Sequence, residues 1–245
     1  MTRPSAVTPE RFASGMTFEQ YLASLGTPEN LAREASGGSA PRPDRTAEVR
    51  AWYDATRLSE PQVAALRWLA GRPGGPAKIL AISEEWSSDC RRDVPVLARM
   101  AEAAGWELRI FRRDGRRFSA SQRPSLAEAP DSNADIMAEF LNAKNGQTWQ
   151  SIPVAVFYTK DLRYLYHYTE YPAIYHKDRV RGHMQAPRPG ESAEDARRRG
   201  DSEFVELQRS PFFRIWACAA VDEMLSALHE RLTVGPLARD PDARP

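Results

Sequence analysis

Cys90 is the residue of this chain best placed to do chemistry, because it stands three residues after Ser87 in the run Trp86-Ser87-Ser88-Asp89-Cys90. Before it, Ile79, Leu80, Ala81 and Ile82 follow one another without polar alternation, the pattern of a short buried strand. After it, Val94, Leu97, Ala98 and Ala101 recur at helical spacing, and Ser87 is a residue type that caps helices. The spacing therefore predicts strand, turn and helix, with Cys90 in the first helical turn. Unpaired backbone N–H groups and the helix dipole favour a thiolate at that position. Pro95 falls inside the predicted helix, where it removes one backbone hydrogen bond and is expected to kink the axis. A free cysteine is also often a small buried hydrophobe, so a structural and a reactive reading of Cys90 both stand.

Two further groups of residues bear on chemistry. Arg109, Arg112, Arg113, Arg116, Arg117 and Arg123 crowd the end of a second predicted strand and the loop after it, and Arg91 and Arg92 adjoin the thiol. C-terminal strand ends face the ligand crevice in open parallel sheets. Arg91, Arg112 and Arg113 are therefore candidates to hold an anion such as a carboxylate or phosphate. The alternative is a solvated loop paired with Asp114 and Glu128. Ser151-Ile152-Pro153 stands directly before an apolar run from Val154 to Phe157, and proline is tolerated at the first position of a strand. His167, His176, His183 and His229 all come after the cysteine turn, so no general base lies near it in sequence. With Cys218 and Asp178 they form no metal-ligand spacing. Neither a metal nor a cofactor is implied. The tyrosines at 158, 164, 166 and 168 read as sheet faces, and with no local basic excess they are no nucleic-acid stacking platform.

The block from Lys78 onward resembles the thioredoxin superfamily, in particular bacterial thioredoxin-like proteins with an acidic-Trp-Cys-x-Asp-Cys turn followed by Val-Pro-x-Leu-Ala. Trp86, Asp89, Cys90, Val94, Pro95, Leu97 and Ala98 carry the resemblance. Ser87 stands where the family has its nucleophilic first cysteine, and Ala81 where typical thioredoxins have a buried acid. The resemblance implies that Pro153 is the family's cis-proline and that the Ile152 backbone pairs with an extended substrate segment. It implies that Trp86 and Asp89 also shape the substrate pocket. A lone hydroxyl without a base is a poor nucleophile, so dithiol reduction is not expected. Peroxiredoxins offer a second resemblance: they place a hydroxyl three residues before their reactive cysteine, as Ser87 is here, although Ser83 replaces their preceding proline.

Around this block the chain reads as follows. Its 245 residues are 42% hydrophobic and 27% charged, with a net charge of +1. That balance gives no global attraction to nucleic acid or a membrane surface. Two distant cysteines make no disulfide framework, and the N-terminus lacks a secretory layout, so a cytoplasmic protein with reduced thiols is expected. No apolar stretch reaches the ~18 residues of a spanning helix. Abundant Arg, Ala and Pro suggest a GC-rich bacterial genome.

Residues 1–11 read as a loose tail, 18–25 as a short amphipathic helix and 35–44 as a flexible connector rich in Gly, Ser and Pro. Helices are predicted from Thr46 and after Ser59, the second ending at Gly71. Past Gly105 come a strand at 106–111, an irregular polar stretch at 112–130 and a helix at 131–142. A strand at 154–158 and an antiparallel partner at 163–168 follow. Residues 187–200 read as a polar loop or frayed helix, and a last helical segment ends near Leu232, broken or started at Pro211.

The expected fold is α/β and thioredoxin-like: a central mixed sheet of about four strands flanked by helices, with extra N-terminal helices. The expected divisions are an N-terminal part at 1–45, the main domain at 46–232 with an insertion at 168–203, and a disordered tail at 233–245. Two functions stand. One is a monothiol redox or thiol-exchange protein, an oxidoreductase or peroxidase-like enzyme using Cys90 with Ser87. Its implied partners are protein or peptide thiols and disulfides, glutathione among them. The other is a non-catalytic peptide- or protein-binding module.

Overall fold

The computed structural model describes residues 5–144 and 146–235. Its N-terminal part is more ordered than a loose tail. Thr8 caps α1 (Pro9–Ala13), and Phe12 and Val7 are buried. Thr17 opens α2 (Phe18–Leu25) with a reciprocal capping box to Gln20, which satisfies two orphan N–H groups at the helix start. Its apolar positions Phe18, Tyr21, Leu22 and Leu25 are all buried. After α3 (Pro28–Leu31), the Gly-, Ser- and Pro-rich stretch is pinned rather than free. Ala35 N–H donates to Ser39 O at 2.7 Å and Arg42 N–H to Leu31 O at 2.8 Å.

The helices α4 (Thr46–Ala55) and α5 (Glu60–Ala70) follow, and the second is opened by Ser59 in a capping box. Both pack against α6 (Ser88–Ala104), which comes after β1 (Lys78–Ser83). Gly105, at φ +69°, takes the left-handed conformation that ends α6 without a Cβ penalty. The chain then enters β2 (Glu107–Arg112), parallel to β1 with Leu80 opposite Arg109. Ser87 occupies the N-cap position of α6, but its side chain makes no capping bond to the helix backbone.

From Arg113 to Asn133 the chain is irregular, as the polar composition predicts. The helix expected over 131–142 is only α7 (Ala134–Met137). Asn133 takes its N-cap position without a side-chain bond, and the Asp131 carboxylate accepts the Arg116 N–H at 2.8 Å. Asn142–Lys144 (β3) leaves the helical path to pair antiparallel with Gln147–Trp149 (β4), a hairpin the sequence reading lacked. β5 (Val154–Tyr158) runs antiparallel to β1 and to β6 (Tyr164–Thr169), giving the sheet order β2-β1-β5-β6. This four-stranded mixed sheet with helices and an N-terminal helical extension is the expected thioredoxin-like architecture. One sheet face buries Leu80, Ile82, Val154 and Val156 with Phe12, Phe111, Ile136 and Cys90.

The chain forms two compact units. The first runs to Glu170 and resumes at Met224; the second is Tyr171–Glu223, wider than the 168–203 insertion. Within the second unit lie α8 (Lys177–Met184), α9 (Ala193–Arg209) and the start of α10 (Pro211–Thr233). The polar stretch at 187–200, which reads as a loop or frayed helix, is helical from Ala193 as the start of α9. Arg199 clasps the turn before it, donating to Met184 O at 2.7 Å and pairing with Glu191 at 2.9 Å. The expected disordered tail lies, beyond Gly235, outside the described residues. Among the described residues no helix is long and apolar enough to cross a membrane.

Candidate functional site

The site begins where β1 releases the chain. Ser83 ends the strand, Glu84 and Glu85 follow, Trp86 turns the backbone, and α6 starts at Ser88. Cys90 lies in the first turn of α6, as the spacing predicts, with no exposed surface. Burial pushes its thiol up to about 12; hydrogen bonds from the Glu84 backbone and the Ser83 and Ser87 hydroxyls offset part of that rise. Beneath the turn, the buried Tyr21 hydroxyl meets Ser83 Oγ at 3.2 Å. Ser87 and Trp86 are half-buried. The Trp86 ring stands edge-on to Phe118, centroids 5.7 Å apart, and Arg113 lies 5.1 Å above it. Trp86 Nε1 is buried without an acceptor among the described residues.

Two acids directly after a core strand must be neutralised there, and the N-terminal extension supplies the cations. Glu84 is fully buried. It accepts Arg33 Nη2 and Arg42 Nη1, each at 2.6 Å, and the Asp114 N–H at 2.8 Å. Burial pushes the Glu84 carboxyl up from its ordinary value and the Arg33 guanidinium pulls it back. Two guanidinium groups in contact favour the charged carboxylate against that burial. Glu85 accepts Arg42 at 2.9 Å and Asn30 Nδ2 at 3.0 Å. Arg33 also binds Gly115 O and Asn30 Oδ1, both at 2.9 Å. None of these partners is visible as a motif. The available signal was the Glu84-Glu85 pair itself, placed where the backbone has to be buried.

The arginines nearest the thiol are likewise committed. Arg91 donates to Glu48 at 2.7 Å and to the carbonyls of Glu85 and Trp86 at 2.8 and 3.0 Å. Arg92, with no exposed surface, forms a two-point pair with Asp93 at 2.5 and 2.7 Å and reaches Asp89 at 3.0 Å. Burial works against its charge, but Asp93 and Asp89 outweigh it and raise its pKa. Asp89, a candidate substrate-pocket residue, is therefore 4% exposed and faces Arg92. Of the three candidate anion-binding arginines, Arg91 and Arg113 are held internally, the latter by Asp114 at 2.9 Å and Gln150 O at 2.9 Å. Arg112 differs: its side chain makes no hydrogen bond or ion pair among the described residues, and its Nε is buried.

The Ile152–Pro153 bond is cis, as is Ala40–Pro41. Ile152 packs in the same core cluster as Cys90 and Val154, with Trp86 against it. Its backbone N–H and carbonyl make no hydrogen bond among the described residues, whereas Pro153 O accepts from Glu170 N–H at 2.8 Å.

A family model described as thioredoxin matches residues 40–129, which contain the β1–α6–β2 unit and the arginine-rich loop. No curated protein matches the chain. Among solved structures, a protein of unknown function, PA1234 from Pseudomonas aeruginosa, is similar at TM-score 0.50 and 12% identity; the alignment covers 89% of this chain and 94% of that one. An HIV 4E10 epitope-scaffold is similar at TM-score 0.50 and 13% identity, covering 92% and 98%. At such identities the likeness concerns the fold alone. Residues 40–129 thus resemble thioredoxin in sequence, and the β2-β1-β5-β6 sheet with its flanking helices is thioredoxin-like in fold.

Proposed function

We propose that this thioredoxin-like domain is a non-catalytic module that binds an extended protein or peptide segment beside Trp86, Ser87 and Ile152, with Cys90 as a structural thiol. The observation that carries the reading is Cys90 itself: no exposed surface, and a thiol pushed up to about 12 by burial. A reactive cysteine needs a thiolate and a path to it. The unpartnered Ile152 N–H and carbonyl support the binding half of the reading. Backbone groups of this kind are normally satisfied, and an extended segment laid alongside would supply the missing bonds as an added strand does.

A second reading, monothiol exchange with glutathione or a protein thiol, draws on the hydrogen bonds from Ser83, Ser87 and the Glu84 backbone to the sulfur, which favour the thiolate. It requires the turn to open. The test is to incubate the Cys218→Ser protein with oxidised glutathione and, separately, with hydrogen peroxide under native conditions, followed by intact mass. The expected result is an unmodified Cys90 that becomes modified only in denaturant. A stoichiometric native glutathione adduct or sulfenic acid at Cys90 overturns the structural assignment in favour of the monothiol reading.

A further inference from the structure

Apart from the cysteine turn, the first unit holds a cleft of about 630 Å³ between the N-terminal helices and the end of β2. Met16, paired through its backbone with Ile110 at 2.8 and 2.9 Å, forms one wall with Ile110 and Phe111. Arg112 stands at the end of this wall. We propose that the cleft binds a small organic anion, a carboxylate or phosphate, through the guanidinium of Arg112. The proposal does not depend on what Cys90 or Ile152 does.

The argument begins with what each charged side chain is already doing. Arg11 is bound to Asn133 Oδ1 at 2.7 Å and Asp135 at 3.1 Å, and Arg33 is consumed by Glu84 and backbone carbonyls. Asp114 is held by Arg113. Among the buried or half-buried arginines of the cleft, Arg112 alone has a side chain with neither a hydrogen bond nor an ion pair among the described residues, and its Nε is shut away from water. Its place is nonetheless fixed, because its carbonyl accepts Asn133 Nδ2 at 2.6 Å.

A guanidinium left in this state is costly. A buried donor without a partner loses its hydration and gains nothing in return. Burial first, and then the neighbouring Arg33 charge, push the Arg112 pKa down, which records the same penalty. An anion with two oxygens on one centre relieves both terms, since it fits the planar fork of the guanidinium and screens Arg33.

The remaining groups limit what enters. Arg116 at the rim adds a second cation. Glu29 and Asp131 also line the cleft, and Asp131 is already oriented on the Arg116 N–H. These two acids oppose a large polyanion such as nucleic acid and admit a small ligand with one anionic group. The cleft volume lies in the range of metabolite pockets, and its apolar wall offers surface for a short carbon skeleton.

The test uses the full chain labelled with ¹⁵N-arginine. A buried Nε–H exchanges slowly and gives a resolved signal, assigned by its loss in Arg112→Gln. Inorganic phosphate and succinate are titrated separately at constant ionic strength, with sodium chloride as the control. The expected result is a saturable shift of the Arg112 Nε–H signal with phosphate, succinate or both, and none with chloride. Whichever probe acts identifies the anion class. A matching rise in melting temperature should disappear in Arg112→Gln, and Arg112→Lys, which keeps the charge but loses the fork, should weaken binding at least about tenfold. No shift with either probe, an equal shift with chloride, or undiminished binding in Arg112→Lys overturns the proposal. The wild-type titration and the lysine variant decide it even if the glutamine variant does not fold.

Discussion

With Cys218 replaced by Ser, Cys90 is the sole thiol, and its alkylation by iodoacetamide measures the site directly. A thiol at about 12 is roughly 3 × 10⁻⁵ thiolate at pH 7.5. A free thiol of pKa ~8.5 is about one-tenth thiolate at that pH. Ionisation alone therefore slows the native reaction by about three-thousandfold relative to a free cysteine. The sulfur also has no exposed surface, so a second route runs through opening of the fold. If opening costs about 5 kcal/mol, the open fraction is about 2 × 10⁻⁴, and this route is about five-thousandfold slow. Both routes lead to the same expectation, a native rate at least about a thousandfold below that in 6 M guanidinium. The assay is a stopped time course followed by intact mass. A native rate within about tenfold of the free thiol would refute the reasoning, because it requires an accessible thiolate that the burial of Cys90 forbids.

Three other outcomes follow from the same geometry. Arg42→Ala leaves Glu84 and Glu85 short of a buried cation and should cost about 3–5 kcal/mol in urea unfolding; a loss below about 1 kcal/mol would show that water reaches the pair. Because the Cys90 pKa is raised from 9.0 to about 12, the folded thiol stays neutral while the unfolded one ionises. Its contribution is present below pH 9 and is lost as pH rises from 9 toward 12. The stability gap between wild type and Cys90→Ala should therefore narrow by about 1.4 kcal/mol by pH 10, and a gap that stays flat contradicts the raised pKa. Ser87→Cys should form a disulfide with Cys90 on mild oxidation, since the Ser87 hydroxyl already bonds the sulfur, and an unchanged free-thiol titre would mean the turn holds the two apart.

The sheet and its central helix were legible because each rests on a strong local signal. The unbroken run of Ile79 to Ile82 has to be buried, and Gly105 marks a left-handed exit that few other residues tolerate. The helix at 131–142 was over-read for a physical reason. Ile136, Met137, Phe140 and Leu141 have helical spacing, yet Phe140 can reach the core from a turn, and Asn142 then pairs with Trp149. The reading of 35–44 failed in the opposite direction. Glycine and proline make that stretch look loose, whereas Arg42, 3% exposed, is anchored on two acids more than forty residues away. Local composition carries no information about a partner at that distance. The same blindness affected the candidate anion site, where Arg91, Arg112 and Arg113 look alike in sequence and only their surroundings separate two internal clasps from one unpartnered guanidinium.

The electrostatics around the start of α6 favour a closed site. A thiolate at the start of α6 would need a nearby cation that is not already neutralised. Arg91 is spent on Glu48 and two carbonyls, Arg92 on Asp93 and Asp89, and Arg33 and Arg42 on Glu84 and Glu85. Each of these arginines is matched by at least one acid, so the helix start has little net positive potential to offer, and Asp89 adds a charge that disfavours the thiolate further. With serine at position 87, the turn carries no second thiol to present to a substrate disulfide. Arginines from the N-terminal extension reach the two acids after β1, and burial raises the pKa of Glu84 and Cys90 alike. The strand–turn–helix supplies the central strand β1 and packs the Cys90 sulfur in the buried core cluster.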